Sequence, residues 1–145
     1  LFPYTTLFRS GTPAHRPRTE TILLVEDEEA VRQLTAKLLR SHGYQVIEAA
    51  DGPQALQLCQ RAEQAIHLLL TDVVMPKMNG RELAQRMKEL RPSLRTLYVS
   101  GYTDDVEVLR GIRQEQIRFL QKPYTPDALL AHVREALDGP TPTEQ

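Results

Sequence analysis

The chain predicts an α/β domain, a parallel sheet of five strands with helices on both faces, and three observations carry that prediction. Between Thr21 and Asp138, short apolar runs alternate with amphipathic stretches. The first and third runs are continuously apolar, as expected of strands buried on both faces. Glycine, proline and asparagine punctuate the joints. A helix after each strand argues for parallel pairing through right-handed crossovers.

The elements follow in order. Thr21 to Glu26 (TILLVE) reads as the first strand. Asp27 to Gly43 carries Val31, Leu34, Leu38 and Leu39 at helical spacing and stops at a glycine. Tyr44 to Ala49 is a second strand, richer in polar residues and therefore expected at the sheet edge. Gly52 to Glu63 reads as a second helix, with Cys59 among Leu56, Leu58 and Ala62 as a buried structural thiol. His67 to Thr71 is the third strand, and Val73 to Gly80 (VVMPKMNG) is a loop leading to a third helix, Arg81 to Leu90. Arg95 to Ser100 makes the fourth strand. Thr103 to Gln114 follows as a fourth helix, weakened by Gly111 inside it. Ile117 to Gln121 is a short fifth strand, and Pro126 to Leu137 a last helix, with Thr125 as N-cap and Gly139 past its end. This count and the polar second strand fit a flavodoxin-like, doubly wound (βα)5 sheet of order 2-1-3-4-5.

Composition bounds the function. With 145 residues, 41% hydrophobic and 26% charged, the chain holds one domain able to bury a core without disulfides. One cysteine fits a reducing, cytoplasmic compartment. A formal net charge of −1 gives no basic surface for nucleic acid. No apolar run has the length to span a bilayer, so no membrane contact is expected of this chain, although its parent protein is not thereby barred from a membrane anchor. Residues 1–10 (LFPYTTLFRS) look like a translated sequencing adapter and are set aside as non-native, with an upstream region expected to be lost. Residues 11–20 read as a linker, 21–138 as the domain and 139–145 as a disordered tail.

Ligands of a doubly wound sheet bind at the carboxyl ends of its strands. Here those ends carry Glu26, Asp27 and Glu28 after strand one, Asp72 after strand three, Ser100 at the end of strand four and Lys122 after strand five. Polar strand ends are common because they meet water, but that accounts poorly for acids, a hydroxyl and a lysine on one rim. Clustered carboxylates repel unless a cation or a proton compensates. Mg²⁺ takes a few carboxylates together with water and phosphate oxygens. A carboxylate in such a site can attack phosphorus, and metal and ammonium then neutralise the equatorial oxygens. A dinucleotide-binding loop or a P-loop would need its glycines where this chain has Glu26, Asp27, Glu28 and Glu29.

The blocks ILLVEDE, LLLTDVVMPKMNG, YVSGYTDD and FLQKPYTPDALL also resemble, in family order, those of response-regulator receiver domains, over Thr21 to about Asp138. The resemblance implies phosphorylation of Asp72, with Asp72, Lys122 and Ser100 as the catalytic group. It implies Mg²⁺ on Asp27, Asp72 and the backbone carbonyl of Val74, with Glu26 acting through water. Glu26 replaces the commoner aspartate and lengthens that side chain. Ser100 and Phe119 would be switch residues, and Pro123 would fix the turn after Lys122, in the family through a cis bond. Each has a plainer reading: Asp27 as a helix cap, Lys122 as a surface lysine, Phe119 as core. An apolar Val74 with a bulky Tyr102 implies poorly held hydrolytic water and a long-lived phosphoryl group.

The implied partners are a histidine kinase or histidine phosphotransfer domain, in cis or in trans, and a downstream protein bound through the fourth helix, fifth strand and fifth helix. Linker and final blocks look most like the C-terminal receiver of a hybrid sensor histidine kinase. A stand-alone response regulator is the alternative, and a non-phosphorylated pseudo-receiver a third. Whether the parent is an enzyme is open, since no kinase ATP site lies in this chain. His15, His42, His67 and His132 share no metal spacing and read as surface or linker residues, while Met75 and Met78 read as packing beside the site.

Overall fold

A computed structural model describes residues 19–101, 110 and 118–139. Its strands are β1 (Thr21–Val25), β2 (Gln45–Ala49), β3 (Leu68–Asp72), β4 (Arg95–Ser100) and β5 (Phe119–Gln121). The helices among the described residues are α1 (Glu29–Ser41), α2 (Gly52–Arg61), α3 (Gly80–Leu90) and α4 (Pro126–Asp138). The expected helix at Thr103 to Gln114 lies outside the described residues apart from Arg110, so α4 is the helix expected as the fifth. No described helix is long and apolar enough to cross a membrane.

All strand pairs are parallel, in the order β2-β1-β3-β4-β5. The sheet is flavodoxin-like, as expected, with the polar β2 at an edge. Successive residues of a strand face opposite ways. Ile22 and Leu24 of β1 therefore join Leu68, Leu70, Leu97, Leu39, Leu129 and Val133 on one face. Leu23 and Val25 join Leu69, Ala55, Cys59, Leu83 and Met87 on the other. Both faces need apolar residues, which is why β1 and β3 show continuous rather than alternating runs.

Helix α1 corrects one expectation. Leu34, assigned to its apolar stripe, is 70% exposed. The buried residues are Thr35, Ala36 and Leu39, and Arg32 shares their face by its three- and four-residue spacing, with a side chain only 16% exposed. Leu39 and Leu38 pack on the core as expected, and Leu34 alone of the stripe turns to solvent, its place on the inner face taken by Thr35, Ala36 and the stem of Arg32. Asp27 does not cap α1. Glu28 is the N-cap residue, and it makes no side-chain capping bond.

Helix α3 starts where β3 ends, and the closeness of that packing decides the rim. The Gly80 amide donates to the Val73 carbonyl at 2.7 Å. A Cβ on Gly80 would stand 2.1 Å from the Asp72 carbonyl oxygen, a backbone atom with no freedom to withdraw. Asn79 caps the helix, its Oδ1 accepting from the Glu82 amide at 2.8 Å. Alanine ordinarily favours a helix over glycine by up to about 1 kcal/mol. Here the sign reverses: Gly80→Ala should cost about 2 kcal/mol or more through overpacking. Urea denaturation measures this, and a midpoint equal to or above that of the wild type would contradict the packing described.

Candidate functional site

Three strands lift the acids and the lysine to one rim. β1 pairs through Val25 with Ala49 and Thr71, and the Glu26 amide extends the ladder to the Ala49 carbonyl at 3.1 Å. β3 runs one residue further than expected, so Asp72 is its last residue, opposite Val99. Ser100 ends β4 opposite Gln121, and the Lys122 amide donates to the Ser100 carbonyl at 2.7 Å. Parallel register thus brings Glu26, Asp72, Ser100 and Lys122 to the same edge of the sheet.

The Lys122 ammonium joins them. Its Nζ lies 3.1 Å from Glu26 Oε2 and 3.2 Å from Asp72 Oδ1. Glu26 Oε1 accepts from the Glu28 amide at 3.1 Å, which closes the turn between β1 and α1. Glu26, Asp27 and Asp72 each bring a carboxylate oxygen within 4.8 Å of the others. Glu26 and Asp72 are 5% and 7% exposed, whereas Asp27 faces solvent.

Burial and mutual repulsion make full ionisation of this cluster costly. Burial first, then the hydrogen bond and charge of Glu26, push the Asp72 carboxyl up to about 8 against the pull of Lys122. Burial also opposes charge on Glu26. Hydrogen bonds from Asp72, the Glu28 amide and Lys122 outweigh it and hold Glu26 below its ordinary value. Asp27 is raised by burial and by Glu26. Burial opposes the charge of Lys122 too, but Asp72 and Glu26 hold its ammonium above the usual lysine range. Of the three carboxyls, Asp72 is thus the one pushed furthest towards its protonated form.

The remaining expected residues surround this core. Ser100 is buried, at 2% exposure. Phe119 opens β5, half-buried and packed against the cluster of Leu23 and Leu69. Pro123 follows Lys122 through a cis peptide bond. Val74 stands 48% exposed in the loop after β3, and Tyr102 lies outside the described residues. Met75 and Met78 are buried beside the loop, as expected.

Three supports escaped sequence reasoning. Gly80 is needed at the back of Asp72, and only the Asn79-Gly80 pair hinted at it. Arg32 Nη1 donates to the Glu26 carbonyl at 2.9 Å, with no motif to announce it. His67 is no plain surface residue: its Nδ1 accepts from the Thr21 amide at 2.9 Å, and its own amide donates to the Thr21 carbonyl at the start of β1.

Comparison with known proteins agrees with this geometry. The family model described as response regulator receiver domain matches residues 22–134. The chain is 36% identical over 118 residues to the sensor kinase CckA of Brucella abortus, covering 81% of this chain and 12% of that protein. It is 41% identical over 116 residues to the response regulator receiver protein CpdR of the same species, covering 80% of this chain and 95% of CpdR. Among solved structures, the receiver domain of the hybrid histidine kinase CckA is similar, with a TM-score of 0.68 and 33% identity over 81% of this chain and 99% of that one. With the sheet order, the rim residues and the family match in agreement, the chain belongs to the response regulator receiver domain family of two-component signalling.

Proposed function

We propose that Asp72 is the phosphoacceptor of this receiver domain, taking a phosphoryl group from a phosphohistidine in a Mg²⁺-dependent reaction. One observation carries the reading: the Lys122 ammonium touches both Asp72 and Glu26 on a rim where three carboxylates gather.

The residues fit Mg²⁺. Their donors are all oxygen, as a hard cation requires, and the Asp72 carboxyl needs either a proton or a cation beside it. Asp27, Asp72 and the Val74 carbonyl would hold the ion, with Glu26 acting through water. Bound there, it supplies positive charge to the carboxylates and to the phosphoryl oxygens.

In the transfer, an Asp72 carboxylate oxygen forms a bond to phosphorus as the P–N bond to the donor imidazole breaks. With its second ring nitrogen protonated, the imidazole leaves with that electron pair as a neutral ring. Lys122 turns from the Asp72 carboxylate to a phosphoryl oxygen and keeps a counter-charge against the transferred group. The Ser100 hydroxyl donates to the phosphoryl group and, with Phe119, reports its presence. Pro123 fixes the turn that carries Lys122.

The donor is a histidine kinase or a histidine phosphotransfer domain, and the output runs through β5, α4 and the helix expected at Thr103 to Gln114, which lies outside the described residues apart from Arg110. We read the domain as the C-terminal part of a hybrid sensor kinase working in the cytoplasm, and the likeness to the receiver of the hybrid histidine kinase CckA supports the hybrid-kinase origin. A second reading has its own support: CpdR is matched over 95% of its length, which favours a stand-alone regulator. The coding sequence directly upstream separates the two, by a kinase ATP-binding domain or by a start codon near Thr21.

Incubation with acetyl phosphate and Mg²⁺, followed by intact mass spectrometry, tests the central reading. The wild type should gain one phosphoryl group, lost on chelation of Mg²⁺ before the reaction, and Asp72→Ala should gain none. An adduct that persists in Asp72→Ala would contradict it. Val74 offers no hydrogen bond to a hydrolytic water beside the site, so Val74→Asn should shorten the lifetime of the phosphoryl group severalfold. Decay at the wild-type rate would sink that assignment.

A further inference from the structure

Arg32 is an unusual residue for its place. It lies on the core-facing side of α1, beside Thr35, Ala36 and Leu39, with its side chain 16% exposed. Charged side chains are rarely buried so far without a partner that requires them. One such partner is the main-chain carbonyl of Glu26, which accepts from Nη1 at 2.9 Å. The other is Glu48 on β2, whose Oε1 lies 3.5 Å from Nε. The planar guanidinium can hold both at fixed angles.

The Glu26 carbonyl belongs to the peptide that joins Glu26 to Asp27. From one end of that peptide Glu26 reaches Lys122 and the Glu28 amide, and from the other Asp27 enters the carboxylate cluster. We propose that Arg32 is a positioning residue for metal binding: by holding this carbonyl it sets the orientation of the peptide, and with it the two carboxylates of the β1–α1 turn. This rests on the Mg²⁺ site proposed above. Arg32 touches no phosphoryl oxygen in this role and acts only through Glu26 and Asp27.

Two other roles make different forecasts. As a bare positive charge near a cation site, Arg32 would oppose Mg²⁺, and its removal would tighten binding. As a clamp of α1 on β2, it would be matched by Arg40. That residue sits two turns further along α1 and binds Glu48 at 3.1 Å and the Val46 carbonyl at 2.8 Å.

Calorimetric titration with magnesium chloride alone, with thermal denaturation alongside, separates these roles in wild type, Arg32→Met, Arg32→Lys and Arg40→Met. Positioning predicts Mg²⁺ affinity about tenfold weaker in Arg32→Met, as for other groups that orient metal ligands. Arg32→Lys, which keeps the charge without the fork, should fall between Arg32→Met and wild type. Arg40→Met should lose thermal stability and keep wild-type affinity. Unchanged or tighter binding in whichever Arg32 variant folds would overturn the proposal, as would an equal weakening in Arg40→Met. A wild type that binds no Mg²⁺ would remove the metal site itself, and the role of Arg32 with it.

Discussion

The structure depends on holding carboxylates together at the end of a parallel sheet, where they would otherwise repel. Glu26, Asp27 and Asp72 bring three potential negative charges within 4.8 Å, and Lys122 answers with one positive charge at 3.1 and 3.2 Å. Glu26 and Asp72 are too buried for water to screen the remainder. The imbalance falls on Asp72, whose carboxyl is pushed up to about 8. A divalent cation would offset it, and the group that most needs one is the group proposed to attack phosphorus. The same imbalance that makes the cluster reluctant to ionise would favour the cation and the phosphoryl group proposed for it.

The fold supplies the stiffness this arrangement needs. Continuous hydrogen bonding in register fixes the heights of Glu26, Asp72 and Lys122 at the ends of β1, β3 and β5, with β4 between the last two. Core clusters on both faces hold the strands from above and below. At the rim, Gly80 lets α3 start directly against the Asp72 carbonyl, and the Glu28 amide pins the Glu26 carboxylate from the side opposite Lys122. The β3–α3 loop is tied down at a further point. Lys77, held at a φ of 72° that costs a residue other than glycine, reaches Asp51 at 3.1 Å, while Asp51 also caps α2.

Much of this was legible in the residue pattern. The unbroken apolar runs of β1 and β3 followed from burial on both faces, and the polar character of β2 followed from its place at an edge. Since every strand points its carboxyl end the same way, Glu26, Asp72, Ser100 and Lys122 could be put on one rim before any geometry was known. What stayed hidden depends on distances between elements. Leu34 looked like core because large apolar residues dominate a helical pattern, while the actual contact joins Leu39 with Thr35, Ala36 and the stem of Arg32. The need for Gly80 arises only where the Asp72 carbonyl meets the start of α3. The bond from Thr21 to His67 likewise joins residues that no local spacing relates. Which carboxyl is pushed furthest up was also hidden, since it follows from burial and from the partners of each oxygen.

The central claim is that Asp72 holds a proton in the metal-free protein and gives it up to a cation. Calorimetric Mg²⁺ titration in buffers of different ionisation enthalpy counts the protons released. Below about 8 the Asp72 carboxyl is protonated, so Mg²⁺ must displace that proton, and affinity should rise with pH until Asp72 ionises by itself. About one proton should be released per Mg²⁺ bound at pH near 6.5, falling towards none above pH of about 9. Binding that releases no proton at the lower pH, with an affinity that does not change with pH, would contradict this account of the site.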